Sequence, residues 1–272
     1  MEKKILFLDL DGTLLNDEKK VTEGNRLAIE EALARGHRVA IASGRPLESA
    51  LEQARRAGLA GEGCFVISYN GGNIYDCTKG ELIFRRTLEP EDVYRIYDEA
   101  ERRGLYIHTY DRGDVVIEPR CDERNTERYC AISEMTWRRI GDVRQDLSAP
   151  PVKVLMIDFQ DRAPLDDMAR WLREEMGERV ECFFSSSCFL EAVPAGTDKG
   201  AAVTGLCRQL GIDIRNAIAA GDENNDIPMI RAAGVGVAMA NGIQEAKDAA
   251  DYITERDNNH DAIAEIIRKF LL

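Results

Sequence analysis

The sequence predicts an α/β fold in which a parallel sheet, covered by helices, is interrupted by a separate α+β module. Three observations predict it. Apolar strand-like runs alternate with helical runs as far as Ser68, the same alternation returns from Lys199 onward, and the stretch between is richer in strands.

The elements follow in order. Lys4–Leu8 is a compact apolar run closed by Asp9, as suits a buried strand. In Thr22–Arg35 the residues Leu27, Ala28 and Leu33 recur at helical spacing, and Gly36 stops the helix. Arg38–Ala42 is a second apolar run, Pro46 opens a helix through Ala57 that Gly58 closes, and Cys64–Ser68 is a third strand. This β-α-β-α-β order implies parallel pairing with helical crossovers. Near the C-terminus, helix Lys199–Leu210 ends at Gly211, and strand Ala217–Ala220 runs into Gly221-Asp222. Helix Ile227–Ala233, strand Val235–Met239, and helices Ile243–Ala249 and Ala262–Leu271 complete the pattern.

The middle has strand-like runs at Leu82–Arg86, Leu105–Tyr110, Val115–Glu118, Val152–Phe159, Val180–Ser185 and Phe189–Val193. Helices are expected at Pro90–Arg103, Pro164–Met176 and near Asp122–Ile132. The crossings are placed near Cys77–Gly80 and Ser185–Phe189, so residues 1–80 and 189–272 form the core and 81–188 the insert. No repeat, low-complexity tract or Pro- or Ser-rich linker occurs.

Composition narrows the function. With 272 residues and 44% hydrophobic content, folding needs no disulfide or structural metal. A net charge of −13 repels nucleic acid and anionic membrane, so neither is an expected partner. It also repels an anionic substrate unless a bound cation reverses the local field. The seven cysteines are odd in number and form no C-x-x-C pair, which fits free thiols in a reducing cytosol. His37, His108 and His260 are scattered and read as structural or surface residues. The N-terminal apolar run is short and ends in acids, so neither a signal peptide nor a membrane span is expected, and the protein is expected to be soluble and cytoplasmic.

Four motifs carry chemistry. Asp9-Leu10-Asp11-Gly12-Thr13 closes the first strand, and strand alternation sends both aspartates to one side of the sheet's carboxyl edge, where ligands of open α/β sheets bind. Two carboxylates about 4 Å apart would repel by about 4 kcal/mol at an effective dielectric of about 20, so the pair calls for a proton or a cation. Oxygen ligands with few carboxylates suit Mg²⁺. Gly12 permits the turn and Thr13 offers a hydroxyl. Ala42-Ser43-Gly44-Arg45 follows the second strand, where a hydroxyl and backbone N–H groups can bind phosphate. Lys199, in Gly196-Thr197-Asp198-Lys199-Gly200, can put one fixed positive charge on a phosphoryl group. Gly221-Asp222-Glu223-Asn224-Asn225-Asp226 adds a third carboxylate and a carboxamide after another buried strand. Each motif also has a plain alternative: a cap at Thr13, an N-cap at Ser43, a surface lysine, a polar turn. Their convergence on one sheet edge favours the chemical reading.

These residues resemble the four motifs of the haloacid dehalogenase superfamily of phosphohydrolases, in order and none degenerate. The resemblance covers the whole chain, since the insert is similar to the type IIB cap of the Cof-like subgroup. The stretch from Asp9 to Ser43 holds one helix and one strand only, while that from Ser43 to Lys199 is long enough for a cap. Tyr69-Asn70-Gly71-Gly72 resembles the Cof-like asparagine-glycine turn near the cap entrance. The resemblance implies a Rossmann-like core and a Mg²⁺-dependent phosphatase acting on small phosphorylated metabolites, sugar phosphates among them. Asp9 would be nucleophile and metal ligand. Asp11 would be general acid, then base, with its backbone carbonyl on Mg²⁺, and Asp222 would complete the protein ligands. Ser43, Gly44, Lys199, Asn225 and the Leu10 amide would hold the phosphoryl group, with Thr13 beside them. Asp226 would support Lys199 or a metal-bound water, and Arg45 would face the substrate. The cap would close over the site and select the substrate. A sugar phosphomutase is the first alternative, and a non-enzymatic phospho-acceptor or metabolite sensor the second. Dehalogenation is disfavoured because it does not need the second aspartate. The substrate's identity and the oligomeric state are not encoded in any motif.

Overall fold

The computed structural model describes residues 2–272. The chain divides into two compact units, one made of residues up to Phe84 with Asp198–Leu272, the other of Arg85–Thr197. The first opens with β1 (Ile5–Leu8), α1 (Glu23–Ala34), β2 (Arg38–Ala42), α2 (Leu47–Arg56), β3 (Cys64–Ser68), β4 (Asn73–Asp76) and β5 (Glu81–Arg85). The second holds α3 (Pro90–Arg103), β6 (Tyr106–Asp111), β7 (Asp114–Ile117), α4 (Glu123–Ser133), β8 (Trp137–Arg139), α5 (Val143–Asp146), β9 (Val154–Ile157), α6 (Ala163–Met176), β10 (Val180–Ser186) and β11 (Phe189–Pro194). The chain returns to the first unit through α7 (Lys199–Leu210), β12 (Ala217–Gly221), α8 (Ile227–Ala232), β13 (Val235–Ala238), α9 (Gln244–Ala249), β14 (Tyr252–Ile253) and α10 (Ala262–Phe270).

The larger unit is one sheet in the order β14-β13-β12-β1-β2-β3-β4-β5. Pairing is parallel from β14 through β3, and β4 runs antiparallel to β3. β1 is central and every residue in it is buried, which is why it is apolar without alternation. Small residues at 40, 42, 217 and 219 let Val203 and Leu206 of α7 and Met229 of α8 pack close to one face. A β-carbon at Gly200 would come 2.4 Å from the Pro228 carbonyl oxygen, so glycine there sets the approach of α7 to α8. On both sides of β1 the register is level: Leu8 pairs with Ala220 and with Ile41. The chain goes from β1 to β2 on one side and returns as β12 on the other, so the carboxyl end of β1 is the switch point of the sheet.

The smaller unit is a sheet in the order β10-β11-β9-β6-β7-β8, antiparallel except for β7–β8, with α3 and α6 packed together. Inside it His108 is fully buried, in contact with the hydroxyls of Tyr106 (3.2 Å) and Tyr110 (3.3 Å), and Lys153 pairs with Glu191 at 3.1 Å. His37 is also buried, while His260 pairs with Asp257 at the surface.

Both expected crossings turn out to be hairpin turns. Ser186 pairs with Phe189, so β10 and β11 are one hairpin of the smaller unit, and Phe189–Pro194 pairs there with β9 as well. At the other place Gly80, at φ +73, closes a turn between β4 and β5 with its N–H on the Asp76 carbonyl, and β5 joins the core sheet. A glycine or serine cluster between two apolar runs marks a turn, and only the pairing tells a hairpin from a domain crossing. The short strands β4, β8 and β14 and the one-turn α5 were not expected, because their sequences are too short or too polar to show a period.

Candidate active site

The level register delivers the motifs to one place. Asp9 extends the β1–β12 ladder, its N–H donating to the Ala220 carbonyl at 3.0 Å. Ser43 extends the β2–β3 ladder, its N–H on the Ile67 carbonyl at 2.9 Å. Asp222 follows β12 directly. Lys199 is the first residue of α7, whose N-cap Asp198 accepts from the Ala201 N–H at 2.7 Å.

Lys199 is wholly buried and its ammonium group donates to Asp9 Oδ1 and to Asp226 Oδ1, each at 2.5 Å. Asp226 Oδ2 accepts from the N–H groups of Asp222 (2.9 Å) and Glu223 (3.0 Å), so this side chain folds the acidic turn and fixes the lysine together. A β-carbon at Gly221 would come 2.3 Å from that of Asp226. Thr13, which the sequence placed beside the phosphoryl group, is fully buried and donates its hydroxyl to Asp222 Oδ1 at 2.8 Å. It therefore orients a carboxylate. Gly12 has φ +84, and a β-carbon there would lie 2.3 Å from Asp222 Oδ2, so the turn and the close approach both require glycine.

Asp11 is the more exposed aspartate. Arg45 brackets it with Nε and Nη2 at 3.0 and 3.1 Å, and Lys19 donates to it at 2.8 Å. Ser43 Oγ accepts from the Arg45 N–H at 3.2 Å, which steadies the loop before α2; Pro46, not Ser43, is the residue that caps that helix. Leu10 is buried between the two aspartates. Asn225 lies exposed and donates its amide to Asn70 Oδ1 at 3.1 Å.

The electrostatics differ from group to group. Burial pushes the Asp9 carboxyl up; Lys199 pulls it down, Asp226 and Asp222 push it up again, and it settles at about 8. Burial likewise lifts Asp222 to about 6 against the Thr13 hydrogen bond. Partial burial would raise Asp11 too, but Arg45 and Lys19 outweigh it and hold the carboxyl below the usual range. For Lys199 burial favours loss of the proton, yet Asp226 and Asp9 outweigh it and keep the ammonium charged.

The donor set fits a hard divalent cation. Carboxylate oxygens of Asp9, Asp222 and Asp226 lie within 4.8 Å of one another, all buried, and burial together with the neighbouring carboxylates lifts Asp9 and Asp222 above the usual carboxyl range. Both oxygens of Asp226 are already engaged, so Asp9 and Asp222 are the pair with capacity to spare. A carboxyl with a raised folded pKa stabilises the fold at low pH and loses that contribution as pH rises through the folded value. For Asp9 and Asp222 the loss spans about pH 4 to 8. Mg²⁺ binding the ionised pair should therefore raise the melting temperature by several degrees at pH 8 and by little at pH 5. Equal shifts at both pH values in a thermal melt would exclude this pair as the ligands.

Two asparagines and a lysine contact the site residues without any motif announcing them, and a third asparagine does so from a family-like turn. Asn241, just past β13, donates to the Gly12 carbonyl at 2.8 Å, and the buried Asn258 donates to the Leu15 carbonyl at 3.0 Å. Asn70 was visible only as part of a family-like turn, and Lys19 not at all. The one usable signal was position: Asn241 also follows a buried strand at the same sheet edge.

Known proteins resemble this chain over nearly its whole length. A family model described as haloacid dehalogenase-like hydrolase matches residues 6–267. The 5-amino-6-(5-phospho-D-ribitylamino)uracil phosphatase YcsE of Bacillus subtilis is 31% identical over 271 residues, 99% of this chain and 96% of its own. A solved haloacid dehalogenase-like hydrolase from Bacteroides thetaiotaomicron is similar with a TM-score of 0.88 and 34% identity, over 98% of this chain and 99% of that one. The subclass IIB sugar phosphatase BT4131 shares the fold, with a TM-score of 0.78 at 21% identity over 98% of this chain and 99% of that one.

Proposed function

This chain belongs to the haloacid dehalogenase-like hydrolases, and from that premise we propose that it is a Mg²⁺-dependent phosphatase of small phosphomonoesters, sugar phosphates foremost, working through a phospho-aspartate on Asp9. One observation carries the reading. Lys199 donates to Asp9 and Asp226 at once, so a carboxylate at the end of β1 and the acidic turn after β12 share one fixed positive charge. An oxygen nucleophile beside a buried cation and further carboxylates suits a dianionic phosphoryl group with a divalent ion, because phosphoryl transfer draws mainly on positioning and charge neutralisation.

In the first displacement an Asp9 oxygen bonds to phosphorus, the bond to the leaving oxygen breaks, and Asp11 supplies the proton that oxygen takes up. In the second, water attacks the phospho-aspartate, Asp11 takes the water's proton, and the bond to Asp9 breaks to free inorganic phosphate. Arg45 and Lys19 keep Asp11 ionised in the free site, so it takes up a proton as the substrate binds, passes that proton to the leaving oxygen, and is left as the carboxylate base this second step needs. Ser43, Gly44, Asn225, Lys199 and the Leu10 amide hold the phosphoryl oxygens. Magnesium, held by Asp9, Asp222 and the Asp11 carbonyl, would neutralise charge on the transferring group. Asp226 is the support of Lys199 rather than a ligand.

The substrate class rests on chemistry and on the YcsE name, which denotes a phosphate ester on a ribityl chain. A net charge of −13 argues for a small metabolite over a polyanion, and the seven free thiols are consistent with a reducing cytoplasm. No helix among the described residues is long and apolar enough to cross a membrane.

The test is multiple-turnover release of inorganic phosphate from a panel of sugar and polyol phosphates with Mg²⁺ and no bisphosphate. A requirement for a bisphosphate activator would point to a mutase, and a single stoichiometric phosphorylation without turnover to a phospho-acceptor. Asp11→Asn should slow alkyl phosphates by roughly 10²–10⁴-fold and p-nitrophenyl phosphate by less, since the nitrophenolate leaves without a proton. Equal losses on both substrates would remove the acid role from Asp11.

A further inference from the structure

We propose that Asn70 is a positioning residue that holds the amide of the phosphate-binding Asn225 in one orientation. Three consecutive residues, Tyr69, Asn70 and Gly71, have φ values of +52, +53 and +110. Left-handed backbone is unfavourable for a tyrosine and persists only where the surroundings over-determine it. Here they do. The Tyr69 N–H donates to the Arg45 carbonyl and the Asn70 N–H to the Ser43 carbonyl, both at 3.0 Å. Asn70 Oδ1 accepts from Asn225 Nδ2 at 3.1 Å, joining the loop after β3 to the acidic turn after β12. The Asn70 carboxamide also fills the space over Gly44, where a β-carbon would meet it at 3.0 Å. Beside it, a β-carbon at Gly71 would stand 2.3 Å from the Asp198 carbonyl oxygen, at the N-cap of the helix that carries Lys199. One short turn thus touches the loop of Ser43, the turn of Asn225 and the helix of Lys199.

The side chain has a specific task. Asn225 is exposed, and a free carboxamide could present either its oxygen or its nitrogen to a phosphoryl group. Accepting one N–H through Asn70 Oδ1 fixes which way the Asn225 amide faces and removes its rotational freedom before substrate arrives. Asn70 is 4% exposed, so it does this from beneath the site.

The proposal rests on Asn225 holding the phosphoryl group, and a double-mutant cycle separates the two claims. Asn70→Gly keeps a residue that tolerates φ near +53 and deletes only the carboxamide. It should fold with a melting temperature within a few degrees of wild type and lose roughly 10-fold in kcat/KM for Mg²⁺-dependent p-nitrophenyl phosphate hydrolysis. Asn225→Ala should lose roughly 10- to 30-fold. The double variant should fall within about 3-fold of the worse single variant, because Asn70 acts through Asn225. Losses that multiply would overturn the proposal while leaving the phosphatase reading intact, as would Asn70→Gly turning over within 2-fold of wild type. Full turnover by Asn225→Ala would remove the phosphate role of that amide and the proposal with it. An inactive wild-type protein would fail the functional reading first.

Discussion

Asp9→Asn is expected to lower Mg²⁺-dependent hydrolysis of p-nitrophenyl phosphate by on the order of 10⁴-fold or more, with the fold intact. An amide oxygen cannot form the acyl phosphate on which both proposed displacements depend. The substitution also makes a thermodynamic prediction. Folded Asp9 titrates at about 8, against an ordinary value near 4, so the wild-type site loses stability as pH rises between those values. Asparagine carries no such penalty. In EDTA the variant should therefore match wild type near pH 4 and melt at a higher temperature near pH 8. This is the opposite of what a structural carboxylate would show. Turnover near the wild-type rate would end the nucleophile assignment, and a variant less stable at pH 8 than at pH 4 relative to wild type would contradict the electrostatics.

Lys199→Met is the second large effect, and it acts on stability as well as rate. The ammonium is the shared partner of two buried carboxylates, and methionine fills much the same volume with no charge. Removing one partner of a buried ion pair typically costs about 3–5 kcal/mol, because the other charge is left uncompensated. Lys199 also lowers the Asp9 pKa, so its loss pushes that carboxyl above about 8 and deepens the cost of ionising it. The destabilisation should be largest at pH 8 and should shrink toward pH 5, where protonation relieves it. Urea unfolding in EDTA at the two pH values measures this directly. Activity should fall with stability, since the fixed positive charge on the phosphoryl group is gone as well. A variant as stable as wild type at pH 8 would mean that the lysine is neutral in the native protein.

The two substitutions differ in kind for one reason. Asp9 is a carboxyl that the fold can ionise only at a cost, whereas Lys199 is the charge that lowers that cost. Asp226 belongs with Lys199: it accepts from the ammonium and from the amides of its own turn.

The alternation of apolar runs and helical periods was enough to place most core strands along the chain, and the acidic or small polar residues after β1, β2 and β12 marked the candidate site edge. Those signals are local. A strand buried on both faces has to be apolar throughout, and a chain leaving such a strand at a ligand edge turns polar at once. Lys199 was legible because it opens a helix beside glycine. The contact of Thr13 was not legible, because a hydroxyl in a turn looks the same whether it faces a ligand or a neighbouring carboxylate; its partner is Asp222, far along the chain.

What the sequence indicated by itself was the class of fold, the succession of most core strands and helices along the chain, and the acidic motifs that follow β1 and β12, because burial and helical period write themselves into neighbouring residues. Only the tertiary structure decided which polar groups meet: Arg45 and Lys19 on Asp11, Asn241 on Gly12, Asn70 on Asn225, and β11 as the hairpin partner of β10. Such contacts join distant segments, and their energy depends on distance and direction in space, for which linear spacing carries no period.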